Sequence, residues 1–573
     1  MNELIRRLSR YPLVSVELLA ASFFVTLLNL ASPLYVIQIL NRYVTFGFDG
    51  TLITLTAGMV LALILLFGFR TARTRLAAAV SMAPDQELET AVLTALSRIR
   101  AEALDALTKP RAQEMLTHVQ VVQGAYDAPN ITTVLDAPFA VLYILAAFLL
   151  SPILGIVGLA GMLVTLATGW LSLRLSVAPA RDLQQATAAL RGHAASALHG
   201  SDTVRAFQGA GFLQKVWQAH VRQLNTLRKR LSEGRGLFQN AAQSSSLFMS
   251  VLLYAIGAVE VVRGEVTIGA LIGVNILAMR AYQCMSGLSQ SLALMAEARE
   301  ALGELDTFLR LPLEAETGSA LRQYRGQLEF KDVSFAYPGS SGPLFESLNL
   351  RLDPGTFCVV RGFNGSGKTT LARLLLGLLE PTRGEILADG LNLRQLAPFW
   401  WRRQVMYLPQ EPTFLNTTIK ENLLLANPEV DPQTLSGVVG AANLNRYLFT
   451  SPAGLDTPVV DSGRNLPLGV RRRLALARAL LSGGPLAVFD EPTEGLDAEG
   501  CHAVFGLLQQ LAKAGKTLVV CSLDPNVLRM ANLCLDLSAK PVPMVRVLNA
   551  GKDLAAPANT PTRSDAPGTQ TAP

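Results

Sequence analysis

Six apolar segments, all before residue 300, restrict the fold of this chain more than any other feature of its sequence. A helix that crosses a bilayer needs about 20 apolar residues, and lipid offers no partners for unpaired backbone groups. The segments are Leu13–Leu40, Leu52–Phe69, Phe139–Leu150, Ile153–Leu173, Leu247–Val262 and Ile268–Gly287. We therefore predict an α-helical transmembrane domain of six spans.

Basic residues indicate which parts of the chain face the cytoplasm. They cluster at Arg6–Arg10 and in two long, charged, helix-favouring segments, Arg70–Asp136 and Arg174–Gln243. Because positive residues favour the cytoplasmic side, we predict a cytoplasmic N-terminus, two long cytoplasmic excursions and a cytoplasmic C-terminal half. The tips of the excursions are expected near His118–Ala125 and Phe207–Lys215. The net charge of +6 fits this topology, and we expect no nucleic-acid binding.

The C-terminal half contains a glycine-rich loop in a context that binds phosphate. Phe357–Arg361 predicts a buried strand, the loop follows, and a helix is predicted from Thr369 onward. In this arrangement backbone N–H groups and a helix N-terminus hold phosphates, Lys368 neutralises the outer ones, and the Thr369 hydroxyl coordinates Mg²⁺. An aromatic ring before the loop is placed to stack on adenine. The predicted ATP-binding residues are Tyr337, Gly362, Asn364, Gly365, Ser366, Gly367, Lys368, Thr369 and Thr370.

A second apolar run, Leu486–Phe489, predicts a buried strand that ends in Asp490 and Glu491. We predict that Asp490 holds Mg²⁺ and that Glu491 is the catalytic residue that polarises the attacking water. Gln410 ends a third such run and is predicted to sense the metal and the γ-phosphate. The predicted metal ligands are Thr369, Gln410 and Asp490.

Together these motifs resemble those of an ATP-binding cassette exporter with a fused membrane domain. The chain is most similar to the permease/ATPases of type I protein secretion, through Ser32–Arg42 in the first span and Leu135–Phe139 at the third. The resemblance implies a six-span transmembrane domain followed by an α/β P-loop nucleotide-binding domain, with ATP and Mg²⁺ as cofactors. It also implies a second cassette subunit, a lipid environment in the bacterial inner membrane, and polypeptide export with a periplasmic adaptor and an outer-membrane channel. Export of lipid or of a small peptide stays open.

Two family motifs and one further family position are altered. In the family, ATP lies between one subunit's phosphate loop and its partner's signature segment, which reads Leu-Ser-Gly-Gly-Gln. The corresponding residues here are Leu466, Pro467, Leu468, Gly469 and Val470. Leu523 replaces a histidine that would contact the γ-phosphate, and Glu494 stands where a small residue is usual. Two interpretations follow: an active homodimeric ATPase, or a catalytically weak ATP-binding subunit paired with a complete cassette protein.

The sequence divides into four parts. We predict a transmembrane domain over 1–300, a linker over 301–325, an ATP-binding cassette domain over 326–548 and a disordered tail over 549–573. The tail is rich in Ala, Pro and Thr and has no apolar periodicity. Within the cassette, the alternation of Leu328–Phe335 predicts an edge strand.

Overall fold

The computed structural model of the protein describes residues 2–106, 109–320, 323–340 and 342–548. Contacts divide the chain into two compact units. The first comprises Met1–Ile99 and Ala103–Pro312, and the second comprises Arg100–Glu102 and Leu313–Pro573. The predicted tail, 549–573, lies outside the described residues.

The first unit is helical. A π-helical segment, Ile39–Tyr43, joins its third and fourth helices. The helices up to the end of this unit are α1 (Asn2–Arg10), α2 (Pro12–Asn29), α3 (Ala31–Gln38), α4 (Val44–Phe46), α5 (Asp49–Arg98), α6 (Ala101–Ala106), α7 (Lys109–Ala125), α8 (Ala128–Asp136), α9 (Ala140–Leu150), α10 (Pro152–His199), α11 (Ser201–Ala206), α12 (Ala210–Val262) and α13 (Ile268–Leu309).

Six helical stretches among the described residues are long and apolar enough to cross a membrane, which confirms the predicted number. They are Pro12–Phe46, Asp49–Arg98, Ala128–Leu150, Pro152–Leu198, Ala210–Val262 and Ile268–Leu309. At a rise of about 1.5 Å per residue, α5 is about 75 Å long, more than twice the hydrocarbon thickness of about 30 Å. The helices α5, α10 and α12 therefore continue well beyond the bilayer.

The turns of the two excursions agree only in part with their predicted places. The second turn, 207–209, separates α11 from α12 and falls within the predicted segment. The first turn lies at 99–100, between α5 and α6. The expected tip at His118–Ala125 is wrong, because these residues lie inside α7. Val119 and Val122 are buried there against other helices of the first unit, and that burial continues the helix.

The last helix of the first unit is longer than its apolar run. It ends at Leu309, so the first residues of the predicted linker, 301–325, are helical. Ala301, Leu305 and Phe308 recur on one face and are at most 5% exposed. A helix with a buried apolar residue at every third or fourth position continues as long as that face packs against other elements.

The second unit contains two sheets with helices packed against them. Its strands are β1 (Leu328–Phe335), β2 (Phe345–Leu352), β3 (Phe357–Arg361), β4 (Arg383–Ala388), β5 (Leu391–Asn392), β6 (Val405–Leu408), β7 (Leu486–Asp490), β8 (Thr517–Cys521), β9 (Leu533–Asp536) and β10 (Met544–Val547). Its helices are α14 (Lys368–Leu375), α15 (Pro398–Arg403), α16 (Ile419–Leu424), α17 (Pro432–Ala441), α18 (Asn445–Thr450), α19 (Leu468–Ser482), α20 (Ala498–Lys513) and α21 (Pro525–Met530).

The smaller sheet is antiparallel and has the order β2-β1-β4-β5. Because β1 pairs with β2 on one side and with β4 on the other, the prediction of an edge strand is wrong. Leu328 and Phe330 are buried whereas Lys331 is exposed. The alternation therefore reports one buried face of the sheet, not a missing neighbour.

The larger sheet has the order β10-β9-β3-β8-β7-β6, and its strands β9, β3, β8, β7 and β6 are parallel. The register pairs Val360 with Cys521, and Cys521 with Asp490. The segments that follow β3, β7 and β8 therefore leave the sheet at one edge, where open α/β sheets bind ligands. The predicted fold class, a six-span α-helical domain followed by an α/β domain, is confirmed.

Candidate functional site

The phosphate loop lies between β3 and α14. The first four residues of β3 are buried, and α14 begins at Lys368 directly after the loop. Gly365 and Gly367 have φ angles of 82° and 110°, which side-chain-bearing residues rarely adopt. A Cβ on Gly362 would lie 2.1 Å from Ser366 Oγ. Glycine is therefore required at these positions if the backbone is to curl around an anion at the start of α14.

Side chains of the loop differ in accessibility. Asn364 is exposed, whereas Ser366 is fully buried and its hydroxyl has no partner. Thr370 is buried and hydrogen-bonded to the Tyr337 hydroxyl at 2.9 Å. The Tyr337 ring packs edge-to-face on Phe335, with ring centroids 4.9 Å apart, and the residue is 39% exposed. The contact with Phe335 and the hydrogen bond to Thr370 thus hold the Tyr337 ring in place, and the residue keeps exposed surface on which a base could stack.

Lys368 is buried and paired. Its Nζ donates to the carbonyl oxygen of Gly362 at 2.8 Å and lies 3.2 Å from Glu491 Oε1. The predicted phosphate ligand and the predicted catalytic carboxylate therefore neutralise each other in this structure. The ion pair was not foreseen from the sequence, because the two motifs lie far apart in the chain.

The three predicted metal ligands lie together. The Thr369 hydroxyl donates to Asp490 Oδ2 at 2.7 Å and lies 3.4 Å from Gln410 Oε1. Asp490 is 1% exposed, and its other oxygen, Oδ1, is buried without a partner. An unpaired buried carboxylate oxygen is costly unless a cation or a bound water satisfies it. Hard oxygen ligands of this kind suit Mg²⁺, so the side chains fit the implied cation.

Burial shifts the pKa of the two carboxylates in the same direction. It raises the pKa of Asp490 above its ordinary value of 3.8, while the Thr369 hydrogen bond and Lys368 act in the opposite direction. It also raises the pKa of Glu491 above 4.5, again opposed by Lys368. A carboxylate accepts a proton only when ionised, so Glu491 can serve as a base only above that raised pKa.

The altered signature segment forms the N-terminus of α19. Leu466 is buried in the cassette core, and Val470 packs on the same core. Pro467 occupies the N-cap position and provides no side-chain cap. Leu468 is 45% exposed, and a Cβ on Gly495 would lie 3.1 Å from its Cδ2. Gly469 has open space around its Cα, so a backbone approach is still sterically allowed there.

Leu523 lies at the same sheet edge as the carboxylates. It follows β8 by two residues, and the last residue of β8, Cys521, pairs in register with Asp490. The preceding Ser522 is buried and donates its backbone N–H to Val360 at 3.2 Å. Leu523 itself is 49% exposed. An apolar, half-exposed side chain therefore stands at the position where the resembled family has a histidine.

Sequence reasoning also missed a second group of contacts at this site. Glu494 and Arg472 form an ion pair at 3.2 Å, and Glu494 also lies 3.4 Å from the amide nitrogen of Gln410. The available signal was the unusual acidic residue at 494. Its two partners could not be found from sequence spacing, because they lie on two other segments of the chain.

Comparison with known proteins relates both units to one family. The model described as ABC transporter matches residues 345–494, and the ABC transporter transmembrane region matches residues 16–283. The type I secretion system ATP-binding protein PrsD of Rhizobium meliloti (strain 1021) is 27% identical over 526 residues, covering 90% of this chain and 88% of the relative. The alpha-hemolysin translocation ATP-binding protein HlyB of Escherichia coli O157:H7 is 24% identical over 534 residues, covering 91% and 74%.

A solved structure is similar over nearly the whole chain. It is that of a bacterial Atm1-family ABC exporter with ATP bound, and it superposes with a TM-score of 0.80. The match covers 92% of this chain and 94% of the other at 18% sequence identity. At that identity the likeness establishes the fold alone.

Proposed function

The chain belongs to the ABC transporter family, with a transmembrane region fused to an ATPase domain, and on that premise we propose that it exports a polypeptide. It is a multi-pass membrane protein of an ATP-hydrolysing transporter family, and its cassette binds ATP. The type I secretion relatives support the choice of cargo, because two of them align with about nine-tenths of this chain. We also propose the bacterial inner membrane as its location, with the cassette in the cytoplasm.

The observation that carries the ATPase part of the proposal is the cluster at the sheet edge. Thr369, Asp490 and Gln410 bring three oxygen atoms together beside the phosphate loop. When bound, Mg²⁺ would supply charge neutralisation for the phosphates. Lys368 would hold the outer phosphates, and Glu491 would orient and deprotonate the attacking water.

The proposed assembly is larger than one chain. Residues 1–300 would form the transmembrane domain and 326–548 the cassette domain, and two such chains, or this chain and a second cassette protein, would enclose ATP. A periplasmic adaptor and an outer-membrane channel would complete the export path. These partners are proposed from the type I secretion relatives, not from contacts of this chain.

Replacing the base tests the catalytic role directly. We expect Glu491→Gln to lower the ATPase rate of the reconstituted protein by about 10²-fold or more while ATP still binds, because the amide cannot accept the proton from water. Glu499→Gln, a change at an exposed carboxylate on α20, serves as the matched control. Turnover that is unaffected by Glu491→Gln would contradict the catalytic role and favour the second candidate.

That second candidate is a catalytically weak ATP-binding subunit of a heterodimeric exporter. Two observations favour it: Leu468 is 45% exposed and Leu523 is 49% exposed, both at positions that would read the terminal phosphate. A homodimer would carry both changes at both of its sites. Co-purification of this chain with a cassette protein that has an intact signature segment would support the heterodimer.

A further inference from the structure

Glu494 joins three segments that surround the candidate site. Its Oε2 accepts a hydrogen bond from Arg472 Nη2 at 3.2 Å and another from Gln410 Nε2 at 3.4 Å. Arg472 also donates through Nη1 to the backbone carbonyl of Glu491 at 3.3 Å. One carboxylate therefore connects the segment after β6, the segment after β7 and the first turns of α19.

The contact with Glu494 determines which end of the Gln410 amide faces the oxygen cluster. A glutamine side chain has a donor end and an acceptor end, whereas an ionised carboxylate only accepts. Because Glu494 faces Nε2, the carbonyl Oε1 is turned toward the Thr369 hydroxyl, 3.4 Å away. The reversed amide would place its oxygen against the Glu494 carboxylate, and two acceptors repel each other.

Arg472 anchors this arrangement. Its side chain is 12% exposed, whereas that of Glu494 is 52% exposed. An ion pair with a half-exposed partner contributes only about 0–1 kcal/mol to stability, so its removal should leave the cassette folded. The consequence of losing Glu494 should therefore appear at Gln410, in the orientation of its amide.

We propose that Glu494 is a positioning residue that holds the carbonyl oxygen of Gln410 toward a divalent cation bound with ATP. Glu494 itself touches neither nucleotide nor cation in this role. The inference rests on the proposed function, because it requires a cation–ATP complex at the sheet edge. It assigns a purpose to an acidic residue where the family usually has a small one.

Cation affinity gives the sharpest test, because it does not depend on cargo or on turnover. With full-length protein in detergent and saturating ATP, Mn²⁺ binding is followed by electron paramagnetic resonance. Outer partners of a metal site typically change metal affinity by about 10-fold or more. We expect Glu494→Ala to raise the half-saturating Mn²⁺ concentration about 10-fold, while ATP binding in chelator stays as in the unchanged protein.

The control variant is Glu499→Ala, at an exposed carboxylate that accepts from Asn443 at 2.9 Å, away from Gln410. It should leave the half-saturating Mn²⁺ concentration unchanged. A double-mutant cycle separates positioning from a general loss of charge. In a Gln410→Ala background, Glu494→Ala should add no further loss of Mn²⁺ affinity.

Three results would overturn the inference. The first is an unchanged Mn²⁺ affinity in Glu494→Ala, and the second is an additive effect in the Gln410→Ala background. The third is an equal loss of ATP binding in chelator, which would indicate structural damage. All three leave the proposed function intact. If the unchanged protein binds no Mn²⁺ in the presence of ATP, both the proposed function and this inference fail.

Discussion

Leu523 places an apolar side chain beside the sheet edge at which β7 ends in Asp490 and Glu491 follows. Several polar groups of the site are paired with one another, as Lys368 is with Glu491 and Thr369 with Asp490, while the Ser366 hydroxyl and Asp490 Oδ1 are buried without partners. At the residue scale, therefore, the machinery for binding phosphate and a cation is present. By the family resemblance, Leu523 replaces a histidine that would donate toward the γ-phosphate.

Restoring that donor should raise turnover. We expect Leu523→His to increase the ATPase kcat about 10-fold or more, because a positioned imidazole can donate a hydrogen bond to the γ-phosphate and contribute to proton transfer. Steady-state phosphate release from the reconstituted protein measures the change. Leu523→Phe controls for altered bulk and should give no increase. Equal rates for the histidine variant and the unchanged protein would show that this position does not limit hydrolysis.

A contact at the residue scale is predictable from sequence when the residues that form it lie close together in the chain. The residues of the phosphate loop follow one another, so their glycine spacing and their strand–helix context identify them from sequence alone. The pairs Lys368–Glu491 and Glu494–Arg472 join separate motifs, and their geometry exists only once the sheet order is known. The raised pKa of Glu491 likewise comes from burial, which a local pattern does not report.

At the scale of elements, α19 begins without a side-chain cap because Pro467 occupies its N-cap position. The first backbone N–H groups of a helix need partners, and serine at this position normally accepts one of those bonds. The backbone angles of Pro467, φ −54° and ψ 144°, also suit serine. The altered signature segment thus weakens the start of a helix as well as changing the surface of a cassette.

We expect Pro467→Ser to stabilise α19 by about 1 kcal/mol relative to Pro467→Ala, because only serine restores the cap. For a domain of this size that corresponds to a difference of about 2–4 °C in the Tm of the nucleotide-free cassette. Scanning calorimetry of the full-length protein with each substitution gives the comparison. A serine variant no more stable than the alanine variant would show that the cap is not formed.

Errors in the element-scale predictions have physical causes. The alternation of β1 predicts an edge strand, but it reflects one buried face of the sheet, and both neighbouring strands are present. The prediction of a tip at His118–Ala125 is wrong because the charged composition of the segment gives no sign of the buried face of α7. The last turns of α13 are amphipathic and bury Ala301, Leu305 and Phe308, so the helix continues into the predicted linker.

At the scale of the whole molecule, the exposed apolar faces of the first unit require a lipid environment. No residue of the apolar window of Asp49–Arg98 is buried, and Leu61, Ile64 and Phe67 are at least 58% exposed. Apolar surface of this extent is unfavourable in water. The six spans were predictable because each is a run of consecutive residues, whereas the packing between them was not.

Cysteine labelling tests the predicted topology, in which the short connections lie outside and the long excursions lie in the cytoplasm. Phe48→Cys and Glu265→Cys lie in exposed short connections, and Gln208→Cys lies in the turn of the second excursion. We expect a membrane-impermeant maleimide to label Phe48→Cys and Glu265→Cys in cells whose outer membrane has been made permeable. Gln208→Cys should be labelled only after the inner membrane is opened. The protein without added cysteines gives the background. Labelling of Gln208→Cys from outside would contradict the predicted topology.

The Lys368–Glu491 ion pair means that the cassette carries its own competitor for ATP. In the structure a tethered carboxylate satisfies the lysine, and its effective concentration does not fall when cellular nucleotide does. Entering phosphates must displace it, so the observed affinity is reduced by the fraction of time that the pair is closed. When nucleotide leaves, the lysine then returns to the Glu491 carboxylate and not to water. Lys368 also holds Glu491 until a phosphate replaces the carboxylate as the partner of the lysine. The release of Glu491 is thereby linked to the arrival of the substrate.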